Sequence, residues 1–326
     1  MSFRKILGQT TSIEILTRAV GSERLHHAYR FEGPAGVGKS MAATALAQCL
    51  VCERPRAGLA CCQCGACRRA ATLSPEPPEV PLHPDVVWIA KGLYPTSVLG
   101  TSSPETSAIG IEQVRKMVLA RVGYPSHEGR ALVFIIRNAE ELSQGAANAL
   151  LKTLEEPPQR VHFVLLTSRP NRLLDTIRSR TLPIRFGALP DETLREIAKG
   201  HGVTVPEHVL PLAQGSAKTL LELANAEQME NRDQFVDAIR RAIAANDLAA
   251  ALDIVGKKHE EREELKLQLS WVLARLVSEA KAAEHPAQAE RLSRQHQIVN
   301  STIRDLERNG QPALMLEAML TRLRRV

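Results

Sequence analysis

The chain has 326 residues, 44% of them hydrophobic and 24% charged, which suits a soluble globular protein of two or three domains. Its apolar runs are short, and Arg and Lys interrupt Met1–Val20 too early for a signal peptide, so a membrane span is excluded and a cytoplasmic address is expected. A net charge of +6 permits an acidic or nucleic-acid partner, but with only 3% aromatic residues the chain lacks the stacking platforms that grip single-stranded bases.

Strand-like and helix-like segments alternate over the first 190 residues. Ala28–Glu32, Asp85–Ala90, Leu132–Ile136, His162–Thr167 and Thr181–Phe186 read as short buried strands. Ser40–Val51, Gly110–Val122 and Gln144–Leu154 read as helices between them, and the alternation predicts an α/β fold with a parallel sheet covered on both faces. The Pro-, Ser- and Thr-rich stretches Ala70–Pro84 and Gly92–Ser107 predict loops. After Pro190 the strand signal ends. Leu194–His201, Glu207–Ala213 and Ala217–Ala226 predict a small helical domain, and longer amphipathic patterns follow over Asp233–Ala245, Leu265–Ala283 and Ala313–Arg325.

Gly33-Pro-Ala-Gly36-Val-Gly38-Lys39-Ser40 fits the G-x-x-x-x-G-K-[ST] pattern between a strand and a helix. The glycines let backbone N–H groups turn toward phosphate oxygens, Lys39 reaches the outer phosphates, and Ser40 can ligate magnesium. Hydrolysis also needs acidic residues at the end of a second strand. The candidate strand Leu132–Ile136 ends instead in Arg137-Asn138, neither of which carries a carboxylate. Arg137 is expected either to stand in for magnesium as the neutralising charge or to block the site. Glu140 and Glu141 read as solvated carboxylates at a helix start.

All six cysteines lie between Cys49 and Cys67. Cys52, Cys61, Cys64 and Cys67 are spaced as C-x8-C-x2-C-x2-C, a set of four thiolates that would close a structural zinc site. A register with Cys62 replacing Cys61 stays open, and Cys49 is expected to pack as a small apolar residue. The nearby Arg54, Arg56, Arg68 and Arg69 could face nucleic acid, although a solvated rim suits them better without adjacent aromatics.

Taken together, these motifs resemble the AAA+ clamp-loader subunits of bacterial DNA polymerase III, the gamma/tau motor and the delta-prime stator. Leu25-His-His-Ala28, the phosphate loop, the cysteine module and His83-Pro-Asp85 carry the resemblance, with Ala147-Asn-Ala-Leu-Leu-Lys-Thr-Leu-Glu-Glu-Pro-Pro158, Ile177-Arg-Ser-Arg-Thr181 and Pro312-Ala-Leu-Met-Leu-Glu-Ala318. The resemblance implies a nucleotide-binding domain over 1–188 with an inserted zinc module at 49–67, a helical lid over 189–230 and an all-α collar over 231–326. It further implies a hetero-pentamer with gamma/tau and delta, acting on a sliding clamp and primer-template DNA with ATP or ADP. Arg180 falls where the family offers an arginine finger to a neighbour's ATP, with Thr181 replacing the usual Cys, and Lys218 falls at the second sensor. The missing carboxylates favour the stator over an ATP-hydrolysing motor.

Overall fold

The computed structural model describes residues 3–22, 25–102, 107–128, 130–244, 262–307 and 311–326. Expectations touching 103–106, Ala245 and the rest of 246–261 fall outside those residues. The chain divides into two compact units, Met1–Leu189 and Pro190–Val326.

The first unit is built on five strands: β1 (Ala28–Glu32), β2 (Val86–Ile89), β3 (Leu132–Ile136), β4 (Val161–Thr167) and β5 (Leu182–Arg185). They form one sheet in the order β2-β3-β4-β1-β5, and every neighbouring pair is parallel. Parallel sheets bury both faces, which is why β3 is a continuous apolar run, Leu-Val-Phe-Ile-Ile, with all five residues buried. Phe134 on β3 and Phe163 on β4 stack with ring centroids 5.1 Å apart at the centre of the core. The expected strands are present, trimmed by a residue at each end of β2 and β5 and extended by Val161 in β4.

Helix α1 (Thr10–Gly21) precedes β1, and α2 (Lys39–Val51) follows the phosphate loop. The apolar positions of α2 surround it rather than forming a stripe, and ten of its residues are buried, so it runs through the interior. Its alanines keep its diameter small enough to fit there. The short helix α3 (Gly65–Ala71) ends the cysteine module and packs on α2. The predicted helix over 110–122 is present with a wider π turn at Arg115–Leu119 in its middle. Thr96–Leu99 forms a single helical turn within a stretch expected to be loop.

The second unit is all helical among its described residues. Asp191–Gly200, Leu210–Ala213 and Ala217–Leu223 are short, whereas Ala226–Ala244, Arg262–Ala282, Pro286–Glu307 and Pro312–Leu323 are mostly long. Trp271 is fully buried; its Nε1 donates to Asp233 Oδ1 at 3.1 Å, and its ring meets the His208 ring edge-on. The 22-residue helix Pro286–Glu307 is absent from the helical segments named above. Its many polar residues dilute the apolar stripe that would announce it. No helix among the described residues is long and apolar enough to cross a membrane.

Candidate nucleotide, metal and finger sites

Strand β1 lies between β4 and β5, neither of them its neighbour in sequence, so the chain leaving its C-terminal end enters a crevice at a switch in strand order. The phosphate loop occupies that position. Gly33 has φ +146°, and a Cβ there would lie 2.0 Å from the Phe186 carbonyl oxygen, so only glycine lets the loop pass so close to the end of β5. Gly36 and Gly38 also take positive φ, +73° and +102°. Gln9 braces the loop: its Nε2 donates to the Val37 and Gly187 carbonyls while its Oε1 accepts the Gly187 N–H.

Lys39 is 9% exposed, and its ammonium donates to the carbonyls of Gly33 and Pro34 in the loop itself. Burial pushes its pKa down to about 8, and the negative charge of Glu140 opposes that shift. Ser40 follows it on the first turn of α2. These residues fit a nucleotide: a glycine-lined turn, one buried ammonium and one hydroxyl at a helix N-terminus.

At the end of β3, Arg137 lies against an aromatic ring. Its guanidinium carbon lies 5.2 Å from the Trp88 ring centroid on β2. Strand β2 flanks β3 on the side away from β4 and β1, so the cation leans off the phosphate loop, held by the face of the indole. Glu140, read as a solvated carboxylate at a helix start, is half-buried and hydrogen-bonded. Glu140 Oε1 accepts from the Ser168 N–H at 3.2 Å and the Ser168 hydroxyl at 3.0 Å, while its Oε2 is buried without a hydrogen-bond partner. Although burial favours the protonated acid, hydrogen bonds from its own backbone, Thr167 and Ser168 outweigh it and lower the Glu140 pKa. Glu141, also half-buried, lies 3.5 Å from Lys91 Nζ.

In the cysteine module the structure brings together Cys52, Cys61, Cys64 and Cys67, whose Sγ atoms all lie within 4.8 Å of one another. Zinc–sulfur bonds of about 2.3 Å would space tetrahedral sulfurs about 3.8 Å apart, and Cys52 Sγ and Cys64 Sγ are 4.0 Å apart. The donor set could therefore hold a metal ion. Backbone N–H groups of Cys61, Cys64 and Cys67 point at the sulfurs of Cys52, Cys61 and Cys64, at 3.3, 3.3 and 3.4 Å, as groups that stabilise thiolates do. N–H donation from Gln63 and Cys64 lowers the Cys61 thiol to about 6, whereas burial raises Cys67. Cys62, with φ +57°, lies outside the cluster, and Cys49 is buried on α2 with its pKa pushed up to about 11 by burial.

The module is tied to the sheet through His83-Pro-Asp85. Asp85, 1% exposed, accepts the backbone N–H groups of His127 and Glu128 at 2.7 and 2.8 Å. Glu128 Oε2 lies 3.0 Å from His83 Nε2, and Glu128 Oε1 pairs with Arg69 on α3. Arg69 thus serves this link rather than a nucleic-acid face.

Arg180 lies just before β5, in a cleft of about 600 Å³ lined by His26, His27, Leu154, Glu155, Ser179, Thr181 and Leu182. Its Nε donates to Glu155 Oε1 at 2.7 Å, its Nη2 pairs with the same oxygen, and its Nη1 donates to the Thr176 carbonyl at 3.0 Å. Thr181 sits where the resembled family has Cys, and it anchors the segment: its hydroxyl accepts from the buried Arg30 of β1 at 2.7 Å and donates to the Ile177 carbonyl at 2.9 Å. Sequence reasoning passed over Arg30 and Glu155. An Arg within an apolar strand is the signal that could have found Arg30. Lys218 lies in the second unit, exposed on the helix Ala217–Leu223 and 3.6 Å from Glu222.

A five-stranded parallel sheet in this order, a phosphate loop after β1, and only helices among the described residues beyond 190 define an AAA+ P-loop protein. The family model described as DNA polymerase III, delta subunit, matches residues 8–190, more than half the chain. The chain belongs to that family and is a clamp-loader subunit of the gamma/tau/delta-prime type. It is 32% identical over 251 residues to DNA polymerase III subunit delta' of Pseudomonas aeruginosa, covering 74% of this chain and 70% of that one. It is 34% identical over 215 residues to subunit gamma/tau of Mycobacterium tuberculosis, covering 65% of this chain but only 34% of that one, so it spans about a third of such relatives. The fold is similar to that of a gamma subunit-related protein from Thermotoga maritima, with a TM-score of 0.50 and 18% identity, covering 96% of this chain and 98% of that one.

Proposed function

We propose that this chain is the delta-prime stator of the clamp loader, which completes a hetero-pentamer with gamma/tau and delta subunits and helps place the sliding clamp on primer-template DNA. The observation that carries this reading is the end of β3, where Arg137-Asn138 stand in place of an acidic pair and Arg137 is turned onto Trp88. A site without a carboxylate at the strand end is poorly equipped to activate water. Its contribution to hydrolysis is then made in trans. Arg180, at the mouth of an open cleft, meets the outer phosphates of the nucleotide on a neighbouring motor subunit and stabilises charge on the transferring phosphoryl group. Glu155 holds the guanidinium ready while it is half-exposed. The four-cysteine cluster holds structural zinc, because four thiolates leave no open position for chemistry. Residues 189–230 act as the lid, with Lys218 as its nucleotide sensor, and 231–326 as the collar.

A second reading, an ATP-hydrolysing motor subunit of gamma/tau type, is favoured by the intact phosphate loop and by the comparable identity to gamma/tau relatives. Steady-state ATP hydrolysis by the reconstituted loader, with clamp and primed DNA, separates the two. The stator reading expects Arg180→Ala to collapse the rate and Lys39→Ala to leave it near wild type. Loss of one subunit's share of turnover in Lys39→Ala would make this chain a motor.

A further inference from the structure

The carboxylate of Glu140 is a group that neither the missing acidic pair nor the finger accounts for. It follows β3 on the short turn Ala139–Glu141, four residues beyond the strand's last residue Ile136. Its backbone position is therefore past the place where a strand-end acid would stand, yet the turn folds its side chain back across the end of β4. There Ser168 grips Oε1 through both its N–H and its hydroxyl. Ser168 directly follows Thr167, whose carbonyl accepts the N–H of Gly33 at 3.2 Å. The clamp on Glu140 is thus one residue removed from the first residue of the phosphate loop.

Three observations converge on what the free oxygen is for. Oε2 is buried and has no hydrogen-bond partner, an arrangement that is unfavourable for an ionised group unless a cation or donor joins it. The hydrogen bonds around the group favour its ionised form against the opposing effect of burial. And Glu140 is close enough to Lys39 for its charge to act on the ammonium of the phosphate loop. Lys39 itself donates to loop carbonyls and does not satisfy Oε2. Glu141, one residue on, is spent on Lys91 at the surface.

Magnesium bound with a nucleotide commonly keeps several waters and needs only one or two carboxylates beside the phosphates. We propose that Glu140 is the carboxylate on the metal side of this chain's phosphate loop, so that Mg2+ and nucleotide bind here together, the cation reached through Oε2 directly or by way of its water. This rests on the phosphate loop binding nucleotide and goes beyond the stator reading, which concerns Arg180 and the neighbour's site. The two carboxylates with different duties that turnover requires are still missing, so the arrangement describes a retained Mg-nucleotide rather than a second engine. A negative group beside the phosphates repels nucleotide without the cation and attracts it with the cation, which makes the two ligands cooperative.

The experiment is ADP binding by the full-length chain, measured by calorimetry in resin-treated buffers with and without MgCl2, with no chelator present to strip the cysteine cluster. Wild type is expected to bind ADP about tenfold or more tighter with magnesium, within the usual span of coupling between linked ligands. Glu140→Gln should reduce that gain to about twofold or less, by weakening binding with magnesium and strengthening it without. Glu141→Gln should keep the wild-type gain. A wild-type chain whose ADP affinity is indifferent to magnesium overturns the proposal, whatever the variants do. So does a Glu140→Gln chain that keeps the full gain. Because the isolated chain has no neighbour for Arg180, this result is independent of the loader hydrolysis assay, and either reading can fail alone.

Discussion

Asp85→Ala tests how the metal module is fastened to the sheet. The side chain is 1% exposed and its two oxygens separately accept the N–H groups of His127 and Glu128, at 2.7 and 2.8 Å. Each is a hydrogen bond to a charged acceptor, worth about 1.5–3 kcal/mol, and truncation leaves two backbone donors without their partner. Their sum, reduced because one of the donors can move toward water, gives an expected loss of about 3–5 kcal/mol from the first unit. Asp85→Asn keeps one acceptor oxygen but sets an NH2 group against the other N–H, so about half that loss or more is expected. The damage should also spread to α3, because Glu128, which the Asp85 bond positions, holds both Arg69 and His83. Urea unfolding followed by circular dichroism, together with the rate of zinc release to a colorimetric chelator, reads both effects. A change under ~1 kcal/mol for Asp85→Ala with unaltered zinc release would refute this account of His83-Pro-Asp85.

Two further predictions concern the metal and the loop. Zinc analysis should find about one zinc per chain, lost on Cys67→Ala and kept on Cys62→Ser, because only the former removes a sulfur from the four-atom cluster; retention of zinc in Cys67→Ala would break the assignment. The affinity of the chain for Mg-ADP should fall as pH rises through about 8, because Lys39 loses its charge there rather than near its ordinary 10.5. The sign follows from the bound phosphates, which favour the charged ammonium, so binding takes up a proton above the free-state pKa and weakens as protons become scarce. Calorimetric titrations from pH 7 to 10 check it, and Lys39→Arg, always charged, should show no such decline if it binds at all.

Much of the nucleotide-binding unit was legible before any coordinates. Apolar runs bounded by polar punctuation marked the strands buried on both faces, β3 most plainly, whereas β5, expected to be buried too, is an edge strand with three of its four residues exposed. The glycines of the phosphate loop were legible as well: positive φ and close backbone approach restrict the residue at each position. The cysteine cluster was legible from spacing, though the choice of Cys61 over Cys62 was not. That choice turns on the αL backbone at Cys62, which swings its thiol out of the cluster. The helix Pro286–Glu307 went unnamed because its polar surface dilutes the periodic signal.

The roles of the charged residues behaved differently. Arg137 was expected to stand in for magnesium or to block the site because of its place after β3; its contact with Trp88 on the neighbouring strand was not legible in the sequence. Glu140 was read as solvated because three-residue turns look like helix starts; Ser168, 28 positions later, makes it a half-buried, hydrogen-bonded carboxylate. Thr181 was read only as the replacement for the usual Cys, and Arg30, 151 positions away, gives it an anchoring duty. The amino-acid order by itself determined the sheet, the loop and the set of thiols, because backbone preference, periodicity and ligand spacing are local. Which groups hold Glu140 and which hold Arg180 was decided only by the tertiary structure. A charge takes its function from the groups that desolvate and pair it, and in this chain those groups come from strands distant in sequence.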